Sequence, residues 1–301
     1  MPKTLRATAL VCLATMCAAT GPVAARGSQA ATPNVGLANA PDAYVSFGGT
    51  TLRYREAGRG TPILFVHGYA GQLESWIGVA DALVATHRVI AFDLRGFGKS
   101  TKSGNADQYG AAMSLDILRL LDHLGVSQVH IVGHSLGALV AASAVARDRT
   151  RFMSATLVAG PLYADSAVAE RDVRPWLAQL EAGQGLTKFL EWLFPGQPQA
   201  AIASMNAGLM NANDPSSLIA VMRSVPQLTT PATALAGIPS LLVVGTADPL
   251  EPLSKAFIAA GGSTRLIEVR GADHISVVGS PELLRGLQEL LQRAEPLRPA
   301  A

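Results

Sequence analysis

The runs PILFV (62–66), RVIAF (88–92), QVHIV (128–132), FMSATLV (152–158) and SLLVV (240–244) constrain this chain more than any other feature. Each is nearly continuous in apolar residues rather than alternating, the pattern of strands covered on both faces. Segments of helical period separate most of them: ESWIGVADALVAT (74–86), AAMSLDILRLLDHLG (111–125) and LGALVAASAVARD (136–148). Each is close to the length that a crossover between parallel strands needs. A further strand, RLIEV (265–269), and a terminal helix at 281–294 extend the series. The expected fold class is α/β, a mostly parallel, doubly wound sheet with helices on both faces. Upstream, YVSFGGTTLRYREAG predicts an antiparallel hairpin turning at Gly48-Gly49.

One interval breaks the rhythm. Residues 161–233 carry no strand-like run, yet a structureless loop of that length is improbable in a compact domain. The pieces RPWLAQLEA (174–182), GLTKFLEWLF (185–194), AAIASMNAGLM (200–210) and PSSLIAVMRS (215–224) read as helices. Asp214 is placed to cap the last of them, and Pro215 stands at its first position. The interval is therefore expected to be a helical cap inserted into a sheet domain made of 42–160 and 234–301.

The N-terminus reads differently. Lys3 and Arg6 precede a run of small apolar residues that ends at Val23-Ala24-Ala25, so residues 1–25 are expected to be a secretory signal peptide. The protein is then exported to the periplasm or the extracellular space; the alternative is a membrane anchor formed by the uncleaved segment. Residues 26–41 are polar, small and without period, as in a flexible leader. Cys12 and Cys17 both fall in the signal, so the mature chain should hold neither a disulfide nor a thiolate-bound metal. Cleavage also removes two cations and no acid, leaving cations and anions even, which gives no electrostatic case for nucleic acid as a partner. No stable membrane insertion is expected after cleavage.

Gly133-His134-Ser135-Leu136-Gly137 follows the strand QVHIV and opens a helix rich in small residues. A nucleophilic serine requires such a place: a sharp turn between strand and helix, with glycines where neighbouring backbone comes close. The helix N-terminus then favours negative charge beside the serine oxygen. A serine hydroxyl also needs a base, and histidine, with an ordinary pKa of about 6.5, suits that work. The candidates are His67, His87, His123, His130, His134 and His274. A carboxylate must in turn hold the imidazole tautomer, and Asp248, directly after the strand SLLVV, stands at the same carboxyl edge of the sheet. Asp165, past FMSATLV, is the second choice for that acid, and Asp273 adjoins His274.

Together HGYAG (67–71), DLRGFGKS (93–100), GHSLG, GTADP (245–249) and ADHIS (272–276) resemble the α/β-hydrolase superfamily. The match covers most of 42–294 outside the cap. In that fold the catalytic residues run serine, acid, histidine along the chain, and His274 alone among the histidines follows Ser135. The resemblance implies a catalytic Ser135–His274–Asp248 triad. It also implies an oxyanion hole made of the backbone N–H groups of Leu136 and, in the loop after PILFV, Tyr69. His67 and His134 are expected to be structural. Asp93 and Arg95 are expected to stabilise the loop after RVIAF. Ala70 stands where many relatives have proline. Neither a metal nor an organic cofactor is implied.

The superfamily includes esterases, lactonases, haloperoxidase-like enzymes, dehalogenases, epoxide hydrolases and lyases. A serine at the elbow argues against branches that use an aspartate nucleophile. The aromatics Tyr163, Trp176, Phe189, Trp192 and Phe194 gather in the cap, and Trp176, Phe189 and Trp192 are expected to line a substrate pocket above Ser135. The expected function is hydrolysis of a small or medium apolar carboxylic ester or lactone, a small-molecule substrate. Acyl transfer or perhydrolysis by the same triad is the alternative within enzymes, and a ligand-binding protein with little turnover is the alternative outside them.

Overall fold

The structure, a computed structural model, describes residues 35–261 and 264–295. The expected signal peptide, both cysteines and most of the leader lie outside the described residues. Among the described residues no helix is long and apolar enough to cross a membrane.

The strands are β1 (Ala43–Phe47), β2 (Thr50–Ala57), β3 (Pro62–Val66), β4 (Arg88–Phe92), β5 (Val129–His134), β6 (Phe152–Val158), β7 (Ser240–Gly245) and β8 (Arg265–Val269). They form one sheet in the order β1-β2-β4-β3-β5-β6-β7-β8. Pairing is antiparallel from β1 through β2 to β4 and parallel from there on. The hairpin turns at Gly48 and Gly49, with φ of 54° and 81°. Two successive positive φ values give the turn whose twist matches that of its strands. Because β3 lies between β4 and β5, the direction of winding reverses there. The carboxyl ends of β3 and β5 flank that switch point, where open α/β sheets place their ligands.

The helices are α1 (Ile77–Asp81), α2 (Ala111–His123), α3 (Leu136–Arg147), α4 (Ser166–Glu181), α5 (Thr187–Leu193), α6 (Gln199–Ala212), α7 (Pro215–Ser224), α8 (Glu251–Ala259) and α9 (Pro281–Ala294). Alternation along the strands divides the core into two layers. Leu64, Val66, Ile90, Phe92, Leu242 and Val244 face the side covered by α2, α3 and α8. Ile63, Phe65, Val89, Ala91, Leu241 and Val243 face the side covered by α1 and α9. Near-continuous apolar runs arise because each strand meets helices on both sides. Helix α9 shows the complementary pattern: Leu283, Leu287 and Leu291 are buried at four-residue spacing, and Ser280 Oγ caps the helix by accepting from Leu283 N–H at 3.1 Å.

Two segments depart from the sequence expectation. Residues 74–86 do not form one helix; a 3-10 turn at Leu73–Trp76 leads into the short α1. Leu73 N–H is tied to Asp93 Oδ1 at 2.8 Å, and the buried Trp76 ring packs 5.2 Å from Phe65. Those anchors set the path of the chain against its helical period. Helix α4 begins at Ser166 rather than near Arg174 and runs through Pro175. Interior proline costs about 3 kcal/mol. Opposing that cost are an N-cap, Asp165 Oδ1 accepting from Ala167 N–H at 2.8 Å, and the burial of Ala169, Val173 and Leu180.

Between β6 and β7 the chain is helical, with α4, α5, α6 and α7 in succession. Asp214 Oδ2 accepts from Ser217 N–H at 2.7 Å, capping α7, and Pro215 opens it.

Candidate active site

Strand β5 ends at His134, and Ser135 then takes φ 54° and ψ −119° before α3 begins. A side chain rarely adopts that region, so the turn is strained and needs support. Support comes from Ser135 N–H, which donates to Val158 O of β6 at 2.9 Å. The flanking glycines are required by space: a Cβ on Gly133 would run into the carbonyl of Gly137, and one on Gly137 into that of Val66. Gly68, from the loop after β3, packs so closely that a Cβ there would lie 3.1 Å from Ser135 Cβ. Ser135 is 8% exposed.

Asp248 and His274 come from loops after β7 and β8. His274 Nδ1 donates to Asp248 Oδ2 at 2.9 Å. The other oxygen, Oδ1, accepts from Leu250 N–H at 2.9 Å, so both faces of the fully buried carboxylate are used. Imidazole Nε2 is left for work. Asp165 caps α4, and Asp273 accepts from Ser276 N–H at 2.8 Å and Ile275 N–H at 3.1 Å within its own turn. Of the three carboxylates weighed from sequence, Asp248 is the one hydrogen-bonded to His274.

The remaining histidines near the site are occupied. His67 Nδ1 donates to Gly68 O at 2.8 Å, and its Nε2 accepts from Leu94 N–H at 2.9 Å. This neutral form suits a ring whose pKa burial pushes down. His134 Nε2 donates to the backbone carbonyl of His274 at 2.9 Å, and the two rings lie 4.8 Å apart. Burial, then the neighbouring His274, push the His134 pKa down to about 3, so the ring stays neutral. Reading the sequence assigned it only a structural place; its position between the two glycines of the elbow was the signal available.

The loop after β3 is closed by Gly71 N–H donating to Gly68 O at 3.1 Å, with Tyr69 and Ala70 at the centre. Ala70 takes φ 56°, as the third residue of such a turn can require. Proline's ring forbids that value, so this loop follows a path closed to a proline at position 70. Tyr69 Oη donates to Leu218 O of α7 at 2.7 Å, fastening the loop to the helical insertion. Leu136 is the first residue of α3, where a backbone N–H has no partner within the helix. Behind the loop after β4, buried Asp93 accepts from Leu73 and Lys99 N–H, each at 2.8 Å, and pairs with Arg53 at 3.1 Å. Arg95 pairs with Asp116 at 2.5 Å.

Two cavities meet at Ser135, each lined by Tyr69, Ser135, Phe189 and His274. One, of about 970 Å³, runs between α5, α6 and the loops after β3 and β8. The other, of about 50 Å³, is lined by Leu136, Leu139, Trp176, Trp192, Met222 and Leu250 among others. Trp176 lies 5.0 Å from Phe189 and 4.7 Å from Trp192, ring centre to ring centre, and Tyr69 lies 6.2 Å from Phe189. The small cavity is lined by Trp176, Phe189 and Trp192, which the sequence places over Ser135, and also by Met222, Val225 and Leu250, which it does not single out.

Residues 61–279 match the family model for the alpha/beta hydrolase fold, and the chain belongs to that family. The chain is 40% identical over 117 residues to the dihydrolipoyllysine-residue acetyltransferase component of the acetoin cleaving system of Pseudomonas putida, covering 37% of this chain and 30% of that protein. It is 37% identical over 93 residues to the soluble epoxide hydrolase of a Corynebacterium species, covering 31% of this chain and 32% of that protein. The chain thus spans about a third of the length of these curated relatives. Among solved structures, the enol-lactonase of Burkholderia xenovorans superposes with a TM-score of 0.70 at 20% identity, covering 83% of this chain and all of that one. At that identity the likeness is one of fold.

Proposed function

We propose that the protein is a serine hydrolase acting on a small or medium apolar carboxylic ester or lactone, a small molecule. One observation carries the reading. Ser135, on a strained strand-to-helix turn, opens into the same cavities as His274, whose Nδ1 is held by buried Asp248. In this reading Ser135 Oγ attacks the carbonyl carbon while His274 Nε2 takes its proton. The N–H groups of Leu136 and Tyr69 receive the developing oxyanion. Collapse breaks the bond to the alcohol, which leaves with the proton from His274. Water then attacks the acyl-enzyme by the same route, releasing the acid and restoring Ser135.

The apolar lining contributed by Trp176, Phe189 and Trp192 supports a substrate without strong charge. Acyl transfer to an alcohol or peroxide is the second reading. It is favoured by the named acetyltransferase relative and by a cleft wide enough for an acceptor other than water. We further propose that residues 1–25 direct export. N-terminal sequencing of exported protein should find Arg26 first; an intact Met1 there would count against cleavage.

The test of the central reading is labelling of the protein by an alkyl fluorophosphonate, with the site located by peptide mass spectrometry. Label is expected on Ser135, and Ser135→Ala is expected to lower kcat for phenyl acetate by up to ~10⁶-fold with the fold retained. Turnover by Ser135→Ala within tenfold of wild type would refute the mechanism. Products formed with competing alcohols present separate hydrolysis from transfer.

A further inference from the structure

The two cavities that meet at Ser135 differ in size and in the exposure of the residues that line them. In the small one, of about 50 Å³, Leu136, Leu139, Val173, Met222, Val225 and Leu250 are all buried. The wide one, of about 970 Å³, has an exposed rim that includes Gln72, Gly78, Gly208 and Gly279, and Ile275 is 56% exposed. An apolar cavity of about 150 Å³ holds a benzene ring, so a third of that volume admits about two carbons beyond a carbonyl.

The order of events assigns the halves of the substrate. When the bond from Ser135 Oγ to the carbonyl carbon forms, the bond to the alcohol oxygen breaks, and the alcohol takes the proton that His274 removed from Ser135. The alcohol must then diffuse away, and water must reach His274 in its place. The wide cleft, with its exposed rim, offers that path. The acyl group stays covalently on Ser135 until water displaces it, so a small pocket lined by buried apolar side chains suits it.

Resting on the serine-hydrolase reading above, we propose that the substrate straddles Ser135. A short acyl group, of about two or three carbons, occupies the small pocket under α4 and α5. A much larger apolar alcohol lies in the wide cleft between α6 and the loop after β8. The enzyme is accordingly a short-acyl esterase of bulky alcohols.

Crossed ester panels test this with the full exported chain. Along phenyl esters from acetyl to octanoyl, kcat/KM is expected to fall by at least about tenfold beyond propionyl, the effect of overfilling a packed pocket. Along acetates from ethyl to octyl it is expected to hold or rise. Trp192→Phe should raise the octanoyl-to-acetyl ratio. A Cβ on Gly208 meets nothing within 4 Å, so Gly208→Trp can project into the cleft and should lower the octyl-to-ethyl ratio among acetates. A flat or reversed dependence, with hydrolysis still lost in Ser135→Ala, overturns the partition alone. Absence of any Ser135-dependent hydrolysis overturns the underlying reading as well.

Discussion

Replacing Asp248 by Asn tests the candidate site through a hydrogen-bond argument that the structure makes unusually definite. Oδ1 of Asp248 accepts from Leu250 N–H at 2.9 Å, so the amide oxygen of an asparagine belongs there. Its NH₂ then faces His274 Nδ1, where Oδ2 stood at 2.9 Å. A donor facing Nδ1 forces the ring proton onto Nε2, and such a ring cannot take a proton from Ser135. Flipping the amide restores the useful tautomer but sets NH₂ against Leu250 N–H, an unpaired buried donor worth about 1–3 kcal/mol. That penalty corresponds to as much as about 10²-fold. Loss of the carboxylate charge removes a charge-assisted bond to the imidazolium, about 1.5–3 kcal/mol and again up to about 10²-fold. The product, of order 10⁴ in kcat, agrees with what this substitution does in Ser-His-Asp triads generally. The assay is kcat and KM for phenyl acetate, with circular dichroism and the thermal midpoint as controls for folding. Asp165→Asn is the comparison: it alters the cap of α4 and should leave kcat within tenfold of wild type. A folded Asp248→Asn enzyme within tenfold of wild type, or a larger loss in Asp165→Asn, would refute the reasoning.

The bond from His134 to the backbone of His274 should also matter to turnover. His134→Phe is expected to lower kcat about tenfold with little change in KM, since a neutral hydrogen bond contributes about 1 kcal/mol. His134→Gln, which can supply a donor near the same place, should recover most of it, and equal rates for wild type and both variants would remove His134 from any positioning role. Stability should fall on acidification within the range in which carboxylates are still ionised. Burial holds the pKa of His134 down to about 3 and, with Glu295 opposing, that of His130 to about 4, while His67 is also lowered. Below about pH 6.5 the unfolded chain therefore binds protons that the native chain refuses. Each such histidine weakens the folding equilibrium about tenfold per pH unit between about pH 6 and its native pKa. Urea midpoints between pH 7 and 4.5 measure this; His130→Gln should reduce the slope by about one proton, and an unchanged slope would contradict the burial argument.

Much of the fold was readable because a buried parallel strand has a signature that little else produces. PILFV and RVIAF became β3 and β4 residue for residue, and the amphipathic spacing of α9 matched its bounds. Failures occurred where a distant group overrules local preference. The segment 74–86 has helical period, but Leu73 is held by Asp93 and Trp76 is drawn under Phe65, and neither tie is visible in the local sequence. The sequence places a helical piece at 174–182, where the structure has α4 from Ser166. Capping by Asp165 carries the helix through Pro175.

The candidate site was legible to a different depth. Ser135 could be singled out because strand, turn and helix occur in immediate succession, and Asp248 because it closes a strand at the edge where β5 also ends. His274 emerged from its order in the chain. What pattern could not disclose is the backbone bond that His134 makes to a residue 140 positions away, or that two cavities of about 50 and 970 Å³ share the serine. Volume is set by how α4, α5 and α7 settle against the sheet, and the same apolar spacing that buries Met222 and Val225 in a core would serve equally to line a pocket. The aromatic residues between 163 and 194 show the point. In the sequence they are a cluster expected to line a pocket; in space Trp176, Phe189 and Trp192 pack against one another at tilted or edge-on angles and Phe189 meets Tyr69 edge-on, so they bound the small cavity and brace its walls at once. Selectivity for a short acyl group would then arise from the rigidity of this aromatic packing, because a wall of mutually supporting rings yields less to one added methylene than isolated aliphatic side chains would.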